Sequence, residues 1–261
     1  MLGRFFRRRP RRNSGAWPQL CMVATRSNGG LTPESILRAA RELFPASEIE
    51  ASDGDDPDFG FECDGVTVIV VPMPFPIPKP DVDEAVVRSW MWPEARAAMG
   101  AQHEHVLVTA LGGASGHETS MAATRLAAAV CRAGDAVGVY WGNAGHLLEP
   151  EAFVQDSLAD VPPVHLWVGL VISGKTEDGP YSMSSCGMAE LGFLELEVVD
   201  ATTPPADLAD VGYSLVMYLV ENGSVLEDGH TFGPTAETKW RVEHTKSVFR
   251  RGERVLRLHL P

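Results

Sequence analysis

Two stretches of this chain read almost alike, and together they restrict the fold more than any composition figure. One is "CMVATRSNGGLTPESILRAARELF", residues 21–44, and the other is "VLVTALGGASGHETSMAATRLAAAVC", residues 106–131. Each runs from an apolar strand through a Gly-Gly turn to a polar helix start and an alanine-rich helix. They are either a degenerate internal repeat or two ordinary strand-turn-helix units. In the first, Thr32 is placed as N-cap and Pro33 as the first helical residue.

The segments between and after them alternate in the same way. "FGFECDGVTVIVVPMP" predicts a β-hairpin with Asp64-Gly65 at its turn. "PFPIPKPDVDE" is expected to be an extended connector, because it carries four prolines. Helices are predicted on either side of Pro93, over "LEPEAFVQDSLAD" and over "ADLADVGYSLVMYLVENG", the last closed by Gly223. "VHLWVGLVIS", "YSMSSC", "TKWRVEHTKSV" and "ERVLRLHL" predict strands. "FLELEVV" alternates apolar and acidic residues, so it predicts a strand with Glu195 and Glu197 on a solvated face. The expected class is α+β, with mixed α/β layers, mostly antiparallel sheets and packed helices. Three parts are expected: a basic disordered leader over 1–16, an N-terminal half over 17–135 and a C-terminal half over 136–261.

Charge narrows the partners. The chain has 261 residues and a net charge of −13, but the first twelve residues hold six of the 22 basic side chains and none of the 35 acidic ones. The other 249 therefore carry 16 basic against 35 acidic groups, a net of −19. A body that acidic is expected to repel nucleic acid and anionic membranes and to suit a basic protein. No apolar run reaches the eighteen or so residues that a membrane helix needs. "NSGAWPQLCMVATR" is too mixed for a secretory signal, so a cytoplasmic protein is expected. The cysteines, Cys21, Cys63, Cys131 and Cys186, have no zinc-ribbon or thioredoxin spacing and read as reduced, mostly buried thiols. A homodimer through exposed strand edges is also compatible with the pattern.

Several side chains invite a chemical reading. Cys186 would need a basic partner and a lowered pKa to act as a nucleophile, and the acids after it work against that. His146, after "YWGNAG", follows a predicted strand end, where ligands often bind. Asp228 and His230 in "DGHTFG" could form a dyad, although a surface turn explains them as well. His103 and His105 at i, i+2, with His117 beyond the Gly-Gly turn, are the loose outline of a zinc site. The glycine loops lack the P-loop and dinucleotide patterns. Trp90 and Trp92, beside the proline-rich connector, are the candidates for an exposed contact surface, and Glu195 and Glu197 join them as binding residues. No cofactor is expected.

Three stretches then resemble a bacterial family of no settled activity, domain of unknown function 4261. They are "YWGNAGHLLEPEAF", "SSCGMAELGFLELEV" and "DGHTFGPTAETKWRVEHTKSVF", within about residues 140–260. The chain departs from that pattern by lacking a proline in its Gly-Phe-Leu-Glu-Leu-Glu run. The resemblance implies accessory, protein-interaction modules, with an immunity role beside secreted toxins among them. It brings no substrate, cofactor or metal. The leading expectation is a non-enzymatic binding module, in concrete form an acidic immunity-type protein that neutralises a basic toxin. The rivals are a hydrolase or transferase with a pocket near His146 and Cys186, and an adaptor docked through its arginine head.

Overall fold

The computed structural model describes residues 18–52, 59–176, 179–235 and 238–260. The leader expected over 1–16 and the acidic loop "DGDDPD" at 53–58 lie outside the described residues. Seven strands form the first sheet: β1 (Gln19–Thr25), β2 (Ile49–Ala51), β3 (Phe59–Cys63), β4 (Val66–Met73), β5 (Glu104–Leu111), β6 (Ala136–Trp141) and β7 (His146–Leu148). Their order is β2-β3-β4-β5-β1-β6-β7, with every neighbouring pair antiparallel. Helices α1 (Pro33–Leu43), α2 (Lys79–Arg88), α3 (Ala95–Met99) and α4 (Gly116–Ala133) cover it.

Local chemistry explains these elements. Thr32 accepts a hydrogen bond from the Ser35 amide at 3.2 Å, and Ser35 accepts one from the Thr32 amide at 3.0 Å. This reciprocal box, followed by Pro33, starts α1 where the sequence places it. Asp64 and Gly65 both have positive φ, 50° and 79°, and join Cys63 to its partner Val66. That is the two-residue turn whose twist matches paired strands.

Side chains of β1 alternate between two cores. Cys21 and Val23 face one apolar cluster with Ile36 of α1 and Leu126 of α4. Ala24 faces another with Val82 and Ala85 of α2 and Met99 of α3. The sheet is therefore covered on both faces, which accounts for its nearly continuous apolar strands. Ala122, Ala123, Ala127, Ala128 and Ala129 let α4 lie close to the sheet and to α1, and all five are buried.

The two similar stretches meet at the centre of this sheet, with β1 against β5 and α1 against α4. Their likeness stops after the helices. From α1 the chain visits edge strand β2 and its neighbour β3 before reaching β4, whereas from α4 it passes directly into β6 beside β1.

The second sheet contains β8 (Gly169–Gly174), β9 (Tyr181–Cys186), β10 (Glu195–Ala201), β11 (Thr231–Phe232), β12 (Trp240–Lys246) and β13 (Arg254–His259). Its order is β11-β12-β13-β10-β9-β8, and only β10 and β13 run parallel. Helix α7 (Pro205–Asn222) packs on β8 and β9 and α6 (Val164–Trp167) packs on α7, while α5 (Pro150–Ser157) packs on α4 and β6 of the first layer. The class is α+β with two mostly antiparallel sheets. One apolar cluster runs from Val68 and Ile36 through Trp141, Phe153 and Trp167 to Leu196 and Leu215, joining the layers.

Two expectations need correcting here. "VHLWVGLVIS" is not one strand: Val164–Trp167 forms a helical turn that buries Leu166 and Trp167, and β8 starts only at Gly169. The strands β6 and β7 pair with the first sheet, so a boundary at 135/136 passes through that sheet. The second sheet begins beyond α5 and α6. Among the described residues no helix is long and apolar enough to cross a membrane.

Candidate functional site

The region around Cys186 is where the most suspicious residues of the sequence come together. β9 ends at Cys186, and Gly187 follows with a φ of 111°. A side chain there would collide with the Trp167 carbonyl, so glycine is required both by conformation and by space. The one-turn helix Ala189–Leu191 then leads to β10.

Glu195 and Glu197 are not on a solvated face, which overturns the expectation from their alternation. They are only 3% and 1% exposed. Glu195 accepts the Ser185 hydroxyl at 2.6 Å and the amides of Gly187, Met188 and Ala189 at 3.3, 3.4 and 3.4 Å. The Arg250 guanidinium lies 3.9 Å from it. Glu197 accepts the Ser247 hydroxyl, the Val248 amide at 3.3 Å and Arg257 at 3.0 Å. Buried carboxylates survive only when paired and hydrogen-bonded, and both are. Each glutamate therefore fastens a chain reversal: Glu195 the 187–189 turn, Glu197 the loop between β12 and β13. Neither is available as an exposed binding residue.

Cys186 donates to the Asn143 carbonyl at 3.4 Å. Burial, followed by the nearby Glu195 charge, pushes its thiol up to about 11, with Arg250 and Arg88 opposing. At neutral pH roughly one part in 10,000 is then thiolate, the opposite of what a nucleophile needs.

His146 lies in β7 and is buried. Its Nε2 sits 3.1 Å from the Leu166 carbonyl and so carries the proton. Burial lowers its pKa to about 4, the Leu166 carbonyl resisting and His165 and Arg88 assisting. The turn before it, expected to be a pocket, is filled. The Arg88 guanidinium lies against Gly145, whose φ is 69°, while it pairs with Glu84 at 2.6 Å. Among the described residues no hydrogen bond joins Cys186 to His146. Arg88 went unnoticed in the sequence because nothing local ties it to a turn some 57 residues on.

The other candidates are dispersed. Asp228 accepts the His244 amide at 2.8 Å, while His230 accepts the Glu227 amide at 3.2 Å, so they form separate turn contacts and no dyad. His103 is exposed ahead of β5, and His105 is buried with Nδ1 2.7 Å from the Phe75 carbonyl. His117 stands at the start of α4 with its ring 5.6 Å from that of Trp167. Burial lowers the pKa of both His105 and His117. Among the described residues no group of three or more His, Cys, Asp or Glu is placed to hold a metal. His117 does line an open cavity of about 340 Å³ with Asp64, Glu118, Arg125 and Val161, but Arg125 is already paired with Asp64 there.

Trp90 and Trp92 part company. Trp92 packs against the α2–α3 core beside Met99, close over Gly138, and is no exposed contact. Trp90 is 51% exposed, yet its indole N–H donates to the Leu170 carbonyl of edge strand β8 at 3.3 Å. Val87, Met91 and Val171 are exposed beside it in the chain or on that strand. An aromatic side chain fixed in orientation and open to solvent is thus available at the seam of the two sheets.

No curated protein and no solved structure matches this chain. Residues 184–259, from β9 through the Glu195 and Glu197 clamps to the end of β13, match the model of a family described as a domain of unknown function, DUF4261.

Proposed function

We propose that this chain is a non-enzymatic, cytoplasmic protein-recognition module for a basic protein, with neutralisation of a toxin as its concrete form and the Trp90 face as its contact. The observation that carries the reading is Trp90, half exposed and pinned to the β8 edge through Leu170. Large aromatic anchors of fixed rotamer dominate binding at protein interfaces. The net charge of −13 favours encounter with a basic partner. The enzyme reading draws no support from Cys186 and His146: one thiol is held protonated, one imidazole is buried and neutral, and each is engaged with a carbonyl.

The test is capture from the native host with the wild-type chain, Trp90→Ala and Cys186→Ala. A basic protein is expected to bind wild type and Cys186→Ala, and to bind Trp90→Ala roughly 30-fold more weakly. A partner insensitive to Trp90→Ala, or an activity abolished by Cys186→Ala in a folded protein, would overturn the reading.

A further inference from the structure

The last two strands reverse the charge of the molecule. Residues 239–259 carry seven lysines and arginines against two glutamates, a net of +5 in a chain of net −13. Arg250 and Arg257 are drawn inward to Glu195 and Glu197. The other five, Lys239, Arg241, Lys246, Arg251 and Arg254, form no ion pair with a described carboxylate and are exposed.

Between Lys246 and Arg254 the chain turns back, and this reversal is unusually well fastened. Ser247 donates to Glu197 and accepts the amides of Phe249 and Arg250 at 3.1 and 2.7 Å. The Val248 amide goes to Glu197, and the Ser247 amide to the Glu253 carbonyl at 2.9 Å. With its backbone held in this way, the loop keeps two adjacent apolar side chains outward: Val248 is 58% and Phe249 48% exposed. Single exposed apolar residues need no explanation, but an adjacent pair on a rigid turn, with exposed cations on both sides that pair with no described carboxylate, is another matter.

We infer that the β12–β13 loop is a peripheral contact for an anionic phospholipid surface, with Val248 and Phe249 entering the headgroup boundary and Lys246, Arg251 and Arg254 meeting lipid phosphates. Apolar insertion and short-range attraction of Lys and Arg to anionic lipid reinforce each other in such contacts. Single-stranded nucleic acid suits the loop less well, since successive bases stack on several aromatic faces and the loop presents a single one, Phe249. The acidic body does not forbid the contact. At physiological salt, charge acts over roughly 8 Å, so the local cations decide and the distant acids are screened. The loop is also clear of the Trp90 face: β13 and β8 are separated by β10 and β9, so both surfaces are usable together.

The experiment is co-sedimentation of the full chain with vesicles of phosphatidylcholine alone and of phosphatidylcholine mixed with phosphatidylglycerol, at physiological salt. Two exposed-site variants are compared with wild type: Lys246→Glu with Arg251→Glu, and Val248→Ser with Phe249→Ser. The six arginines of residues 1–12 are present in every sample. Wild type is expected to partition onto the mixed vesicles only, and each variant on the order of tenfold more weakly. Unchanged partitioning of either variant, no partitioning of wild type, or variant-sensitive binding to a single-stranded oligonucleotide without vesicle binding would overturn the inference. Capture of a basic protein through Trp90 is unaffected by either variant, so the two readings fail separately.

Discussion

β1 turns Cys21 and Val23 to one apolar cluster and Met22 and Ala24 to the other, whereas β10 turns Leu196 and Val198 to one side and Glu195 and Glu197 to the other, with all four of these buried. The first sheet is held by hydrocarbon on both sides, and its helices need only be apolar and of suitable size. The second sheet buries charge on one side, so it depends on particular donors at particular positions: Ser185, the 187–189 amides, Ser247, Arg250 and Arg257. A core of hydrocarbon tolerates substitution, while a buried carboxylate fixes geometry because every alternative arrangement leaves it unpaired. The segment matched by the family model is the part held by carboxylates.

The sharpest way to break this contrast is Glu197→Ala. It leaves the largely covered Arg257 with only the Lys246 carbonyl and frees the Val248 amide, and it should cost about 3 kcal/mol in urea unfolding. Replacing the pair together, Glu197→Leu with Arg257→Met, should restore most of that loss. A change below about 1 kcal/mol in the single variant would mean that the carboxylate is no clamp.

A pH titration of stability probes the seam between the sheets. His146 has a folded-state pKa of about 4, below its ordinary 6.5. The unfolded chain thus takes up a proton first as pH falls. The contribution is present in full above about 6.5 and is lost progressively toward pH 4, amounting to about 3 kcal/mol. His105, also lowered by burial, acts in the same direction. Urea midpoints of wild type and His146→Gln across that window should converge at low pH, and parallel curves would place the titration elsewhere.

In the first layer, Thr32→Ala removes one side of the capping box and should cost about 1 kcal/mol. The smallest effect is expected from Cys186→Ala. It removes one weak thiol hydrogen bond, and partner capture should be unchanged. Wild-type Cys186 should also react with iodoacetamide far more slowly at pH 7 than a free thiol does, since its pKa is pushed to about 11.

Part of the candidate site was legible locally. The acids after Cys186, of which Glu195 helps raise the thiol pKa, stand within a short spacing, whereas the burial that raises it most, and the Trp167 carbonyl that leaves room only for glycine at 187, come from tertiary packing. The exposure of Trp90 could be read from its place beside a proline-rich connector. Trp92 could not, because its cover comes from Met99 and the glycine at position 138, on other elements. Arg88 against Gly145 is equally a matter of distant segments meeting.

The sequence by itself determined the elements whose causes lie within a few residues: the capped start of α1, the Asp64-Gly65 hairpin, and the amphipathic helix ended by Gly223. It also determined that "FLELEVV" would be a strand with unlike faces. Only the tertiary structure decided that its acidic face is buried. Alternation reports which side chains share a face but not what covers that face: for Glu195 the cover is Ser185 and the 187–189 amides beside it in the chain with Arg250 from afar, and for Glu197 it is Ser247, the Val248 amide and Arg257, some fifty to sixty residues later.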